Sequence, residues 1–130
     1  MMRYIFDTSF LVSLINIDDI NHTRSVERIA EIDLSEGHTF FVNELILSET
    51  YTVIAAKIEF EKVPILDSFL DKIHCQYLSG NFEEYFSFFK SLEGAISVAD
   101  ASVVIDAFKY SFSILAFDKK LLKNSQDLQN

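Results

Sequence analysis

The sequence predicts an α/β protein with a mostly parallel sheet, and three observations carry that prediction. Short apolar runs of strand length alternate with longer segments whose apolar residues recur at helical spacing. The order strand, helix, helix repeats three times before a last strand and a short helix, and parallel strands need such helical crossovers between them. Only three Gly and one Pro occur in 130 residues, so the elements are regular and their connections short. A hydrophobic share of 49%, with thirteen Phe and five Tyr, supplies the interior of one domain over residues 1–130.

The elements follow in order. Residues 3–6, RYIF, read as a short buried strand, and Asp7 to Asn16 as the turn and helix after it. In "NHTRSVERIAEID", residues 21–33, Val26, Ile29, Ala30 and Ile32 fall near helical spacing behind Asn21, an expected N-cap. "GHTFFV", residues 37–42, is a turn and then a strand, after which Asn43 can cap a long helix from 44 to about 60. Pro64 suits the first turn of a helix running to about 72. "HCQYL", 74–78, is the third strand, and "GN" leads into a helix at about 82–92. Ser97 begins a helix to about 110, "FSILAF" at 112–117 is the last strand, and Asp118 opens a short helix through Lys123 before "NSQDLQN" frays.

Composition closes several routes. No uncharged apolar stretch reaches the roughly 18 residues of a membrane span, and the N-terminal apolar run follows Arg3 at once and carries Asp7, unlike a secretory signal. The single Cys75 excludes an internal disulfide and suits a reducing cytoplasm. His22, His38 and His74 show no zinc-ligand spacing. The net charge of -9 opposes a broadly basic nucleic-acid face.

Four acids stand alone in otherwise uncharged segments: Asp7 in "YIFDTSFLVSL", Glu49 in "LILSETYTVIAA", Asp100 in "AISVADASVVI" and Asp118 at the end of "YSFSILAFD". Each of the three Asp can serve as, or beside, a helix cap. Asp7 and Asp118 fall where strands give way to helices, and Asp100 lies three residues after Ser97, as in a capping box. Glu49 is harder to assign to a cap, because it lies about one and a half turns into its helix. No Lys or Arg stands three or four residues away from it. In a parallel α/β sheet, ligands bind beyond the carboxyl ends of the strands. Asp7 and Asp118 share that edge, and helix packing can bring Asp100 and Glu49 to it. Convergent carboxylates repel unless a hard cation sits among them, and an all-oxygen set suits Mg²⁺ or Mn²⁺. Such ions activate water and stabilise charge in phosphodiester cleavage.

"YIFDTSFLVSLIN", "NHTRSVERI", "ILSETYTVIAAK" and "VADASVVIDAFKYSFSILAFDKKLL" together resemble the successive signature blocks of PIN-domain ribonucleases, above all the small VapC-type toxins of toxin–antitoxin pairs. The resemblance spans nearly the whole chain. It implies a three-layer α/β/α fold with a mostly parallel four- to five-stranded sheet, and a metal-dependent endoribonuclease using Mg²⁺ or Mn²⁺. It also implies a homodimer, inhibited by a small antitoxin. Carried over residue by residue, Asp7, Glu49, Asp100 and Asp118 are the catalytic and metal-site acids, and Ser9 is an auxiliary polar group. Two positions depart from the family pattern. Ala116 stands where Thr or Ser commonly precedes the last Asp by two, and Lys120 stands where a further acid often follows it by two. Because the chain stops soon after Lys123, a fifth edge strand is not expected.

Other readings start from the same residues. A haloacid-dehalogenase-like phosphatase would need an acid at Ser9, and a response-regulator receiver an acidic pair at the first strand and a later strand-end Lys. A PIN-like scaffold of weak catalysis, binding protein or RNA, is the alternative that the acidic net charge favours. Against it, Arg24 and Arg28 form an i, i+4 pair, and Lys119, Lys120 and Lys123 follow Asp118 closely. These five are candidate RNA contacts. The rings of Tyr77, Phe82, Tyr85, Phe86, Phe88 and Phe89 cannot all face one core. They mark either a helix wedged inside the domain or a dimer or antitoxin contact.

Overall fold

The computed structural model describes residues 2–32 and 36–129. Four strands, β1 (Arg3–Phe6), β2 (Thr39–Asn43), β3 (Gln76–Leu78) and β4 (Ser113–Leu115), form one sheet in the order β3-β2-β1-β4. All three pairings are parallel, with Ile5 opposite both Phe41 and Ile114. Among the described residues, seven α-helices connect and follow the strands: α1 (Thr8–Ile15), α2 (His22–Glu31), α3 (Glu44–Val53), α4 (Val63–Lys72), α5 (Phe82–Ser91), α6 (Val98–Tyr110) and α7 (Lys119–Gln129).

Successive strand residues point to opposite faces of a sheet. Tyr4, Ile5 and Phe6, and likewise Phe40, Phe41 and Val42, are all buried, so helices cover both faces and the fold has three layers, α/β/α. Phe6 stacks on Phe40, and Phe41 stacks on Phe112, carrying aromatic packing through the centre of the sheet. The expected four-stranded α/β sheet is therefore present.

Most helix starts follow from side-chain caps. The side chains of Asp7, Asn43, Asn81 and Ser97 accept backbone N–H groups of Ser9, Ile46, Glu84 and Asp100. Asp118 Oδ1 accepts both Lys120 and Leu121 N–H. Pro64 lies in the first turn of α4, as expected. Asn21 is the exception. It precedes α2, but with ψ near 7° its side chain makes no cap bond and accepts the Arg24 guanidinium instead. The expected end of α2 at Asp33 lies outside the described residues.

Three further boundaries differ from the expectation. The helix after Asn43 changes to a π-helical turn at Ile54–Ile58 and stops where Glu59 becomes extended. The third and last strands are shorter than the apolar runs that predict them, since only Gln76–Leu78 and Ser113–Leu115 pair. The segment after Lys123 does not fray: α7 continues to Gln129. Leu121 and Ser125 are buried, Leu128 packs against the core, and Lys123 pairs with Asp127 one turn later at 3.1 Å. This apolar seam holds a helix whose overall composition is polar.

Helix α5 divides its rings. Tyr85 is buried, and Phe88 and Phe89 pack against the core, whereas Phe82 and Phe86 are exposed. Tyr85 O–H donates to Asp106, and a Cβ on Gly80 would fall on the Tyr85 ring. The wedged-helix reading thus describes one side of α5, while on the other side the exposed rings of Phe82 and Phe86 stack on each other and on the partly buried Phe89.

Candidate active site

Strand order reverses at β1: the chain passes from β1 to β2 and β3 on one side, and returns to place β4 on the other. A crevice opens beyond the carboxyl ends of strands at such a switch point. Asp7 and Asp118 emerge there from β1 and β4. Glu49 arrives from the second turn of α3 and Asp100 from the first turn of α6. All four line one pocket of about 390 Å³, together with Ser9 and others.

Asp7 is 2% exposed. Its Oδ2 accepts the Ser9 O–H at 2.8 Å and the Ser9 N–H at 3.2 Å, so it does cap α1. Its Oδ1 is buried with no hydrogen-bond partner. Ser9 is braced in turn, because the Phe117 N–H donates to its Oγ at 3.1 Å. A bond chain thus runs from the end of β4 through Ser9 to Asp7. Burial raises the Asp7 pKa above the usual carboxylate range, the Ser9 bonds oppose the rise, and the charge of Glu49 adds to it.

Asp100 is pushed up to about 7, first by burial and then by the charges of Asp7, Asp118 and Glu49. Electrostatically, therefore, the four acids form one group. Glu49 is half-buried and enters no ion pair among the described residues. Asp118 spends one oxygen on the cap of α7.

These residues fit a hard divalent ion in donor chemistry: four carboxylates, one of them buried with an unpartnered oxygen. They line the walls of the pocket rather than meeting at one point, and among the described residues no three Asp, Glu, His or Cys side chains form a closed metal cluster.

The expected basic rim is only partly gathered. Arg24 and Arg28 line a neighbouring cleft between α2 and β4. Lys119, Lys120 and Lys123 are exposed on α7, and none lines the acidic pocket. Ala116 faces the α2–β4 cleft, not the acids. Sequence reasoning did not mark Thr8, Asp19, Asn21 or Ser97 as pocket residues. Asp19 stands beside Asp18 in a polar turn, where it looks like any solvated acid. It also did not mark Asp106, which is 3% exposed and accepts from Asn43 and Tyr85 away from the pocket.

A parallel α/β/α sandwich with carboxylates grouped at its switch point defines a class of acidic-pocket domains. Within that class, the family model described as "PIN domain" matches residues 4–126, and the chain belongs to the PIN domain family. Among solved structures it is similar to VapC20 of Mycobacterium tuberculosis, described as a sarcin–ricin loop cleaving toxin. That match has a TM-score of 0.77 at 17% identity and covers 93% of this chain and 94% of that one. It is also similar to VapBC2 of Rickettsia felis bound to a DNA fragment from its promoter, with a TM-score of 0.65 at 19% identity, covering 94% and 92%. Both likenesses are of fold. No curated protein sequence matches the chain.

Proposed function

We propose that residues 1–130 are a metal-dependent endoribonuclease domain, cutting RNA phosphodiester bonds at the acidic pocket, and that the chain is the toxin of a toxin–antitoxin pair. One observation carries this reading: the buried, unpartnered Oδ1 of Asp7 belongs to the same pocket as Glu49, Asp100 and Asp118. A carboxyl group held up to about 7 by burial and like charge, as Asp100 is, binds positive charge readily, whether a proton or a cation.

Asp7, Glu49, Asp100 and Asp118 would hold Mg²⁺ or Mn²⁺. Bound there, such an ion supplies a water activated for attack and positive charge opposite the phosphoryl oxygens. The chain's own residues do the rest. Ser9 fixes the Asp7 carboxylate through Oδ2 and leaves Oδ1 to the pocket. Asp118 is fixed in the same way by the first turn of α7, so two acids are aimed before any ligand arrives.

The RNA substrate is supported by the family and by the similar VapC20, itself described as cleaving the sarcin–ricin loop. An antitoxin partner is supported by the similar VapBC2 complex. The exposed Phe82 and Phe86 support a homodimer. No described helix is long and apolar enough to cross a membrane, and the free, buried Cys75 accords with a cytoplasmic setting.

The test is cleavage of structured and single-stranded RNAs by purified protein with Mg²⁺ or Mn²⁺, beside EDTA controls. Internal cuts are expected, and Asp7→Asn or Asp100→Asn should slow them by about 100-fold or more. Asp7→Asn cutting as fast as wild type would overturn the site. A clean wild type that cuts no RNA with either ion would leave the chain a PIN scaffold that binds protein or RNA.

A further inference from the structure

We infer that the cleft between α2 and β4 is a guanine-binding subsite adjoining the acidic pocket, an inference that rests on the nuclease reading above. The cleft has a volume of about 350 Å³, and its lining includes Phe10, Arg24, Glu27, Arg28, Glu31 and Phe117. Strand β4 is an edge strand, paired only with β1, so this side of the sheet is not closed by a further described strand. Arg24, Glu27, Arg28 and Glu31 are spaced i, i+3, i+4, i+7 and therefore share one face of α2.

The cleft offers a stacking wall. Phe117 stacks on Phe10 with ring centroids 5.4 Å apart and planes 8° from parallel. The Arg24 guanidinium stands over the Phe117 ring at 5.0 Å. Nucleobases stack on aromatic rings and on guanidinium planes alike, so a base laid on Arg24 would extend the series Phe10, Phe117, Arg24. The cleft's charges favour a base over a phosphate: two Arg are matched by two Glu on the same helix face, and a phosphate would meet no net positive field.

Glu27 supplies the choice of base. Arg28 pairs with Glu31 at 3.7 Å, while Glu27 enters no ion pair among the described residues. A carboxylate presents two acceptors side by side. Guanine presents two donors side by side, N1–H and the exocyclic amine, on its Watson–Crick edge. Adenine, cytosine and uracil have no two adjacent donors there, and each would set a lone pair against one carboxylate oxygen.

The cleft is joined to the acids by the backbone itself. Phe117 immediately precedes Asp118, and Phe10 immediately follows Ser9. The Phe117 N–H to Ser9 to Asp7 bond chain crosses the wall between the two cavities. A guanine seated in the cleft therefore leaves its sugar and phosphate at the rim of the acidic pocket, and cuts should fall next to guanines.

Because the chain has no Trp, Phe117→Trp places a single fluorescent reporter in the wall. In EDTA, where cleavage plays no part, guanosine monophosphate should quench it saturably and ribose phosphate should not. Adenosine and cytidine monophosphates should bind about tenfold more weakly. Glu27→Gln should abolish that preference, and Arg24→Ala should weaken every nucleotide by about tenfold. Should Phe117→Trp fail to fold, the amide resonances of Ala116 and Phe117 in the wild type follow the same titrations. Equal binding of the nucleotides, or a response to ribose phosphate as large as to guanosine monophosphate, would overturn the guanine site. RNA cleavage without guanosine binding would overturn this inference and spare the nuclease reading; selective guanosine binding without cleavage would do the reverse.

Discussion

Asp7→Asn separates a carboxylate that merely caps a helix from one that also serves a cation site. In the structure Asp7 caps α1 through Oδ2, while Oδ1 is buried and unpartnered. Asn caps about as well as Asp, so the cap drops out of the comparison and charge remains. Two carboxylates roughly 6 Å apart repel by about 3 kcal/mol at an effective dielectric of about 20. Proton uptake offsets part of this, since burial and Glu49 raise the Asp7 pKa. The Asn amide in place of Oδ1 would itself lack a partner, at a cost of about 1 kcal/mol. The net gain for Asp7→Asn without metal should then be about 1–2 kcal/mol at neutral pH, or roughly 4–8 °C in melting temperature for a chain of this size. With Mn²⁺ at about 100 times its Kd, wild type should gain about 2.7 kcal/mol, and Asp7→Asn should lose most of that gain. Paired thermal melts in EDTA and in Mn²⁺, followed by circular dichroism, read all four values. An Asp7→Asn protein no more stable than wild type in EDTA, and equally stabilised by Mn²⁺, would refute the acidic pocket as a cation site.

Three further outcomes follow from buried carboxyls and from α5. Burial is the largest cause raising the pKa of Asp7, Asp100 and Asp106, so the folded chain holds protons that the unfolded chain releases. Their contribution to stability is fullest below the ordinary carboxylate value near 3.8 and, for Asp100, is lost as pH rises through about 7. The Asp100 shift is worth about 4 kcal/mol at full weight, which its partial exposure screens to roughly 1–2 kcal/mol. Urea unfolding of metal-free protein should show that loss between about pH 4 and pH 7, and Asp100→Asn should flatten it; an equally steep slope in the variant would count against the coupling. On α5, Tyr85→Phe takes a donor from the buried Asp106 and should cost about 1–3 kcal/mol in the same assay. Phe86→Glu, on the exposed side, should instead leave the fold intact and turn a dimer into a monomer in light scattering, and an unchanged dimer would dismiss that contact.

The fold was legible where a local signal sufficed. Asp7, Asn43, Ser97 and Asp118 stand just ahead of apolar periodic runs, and each makes its cap bond. Asn21 has the same local look but fails to cap, because its backbone is turned and its side chain is taken by Arg24. The length of α7 was hidden by the polar run "NSQDLQN". The signal was Ser125 and Leu128 continuing the face of Leu121, and their burial depends on the packing of α7 against α6. Asp106 was invisible for a different reason. With Lys109 three residues on, it reads as a surface acid, yet its partners Asn43 and Tyr85 come from 63 and 21 residues away. Nothing nearby in the chain announces a long-range hydrogen-bond network.

The candidate site was legible for a reason that also explains why capping and cation binding looked like rival accounts. A carboxylate has two oxygens, and an N-cap bond can be made by one of them. Asp7 and Asp118 each give Oδ2 or Oδ1 to the first turn of a helix, which fixes the side chain without using its remaining acceptor. In an isolated strand–helix turn that oxygen faces water and does nothing further. Here the two turns follow neighbouring parallel strands at the point where strand order reverses, so both carboxylates line one crevice. Glu49 and Asp100 then enter from α3 and α6, and burial first, then the charges of its three neighbours, push Asp100 up to about 7. For Glu49 and Asp100 the trace of this in the sequence was the absence of any Lys or Arg three or four residues away, where a base could have neutralised the acid locally. Capping and the proposed cation binding are therefore compatible roles, and the cap would preorganise the acid for a cation.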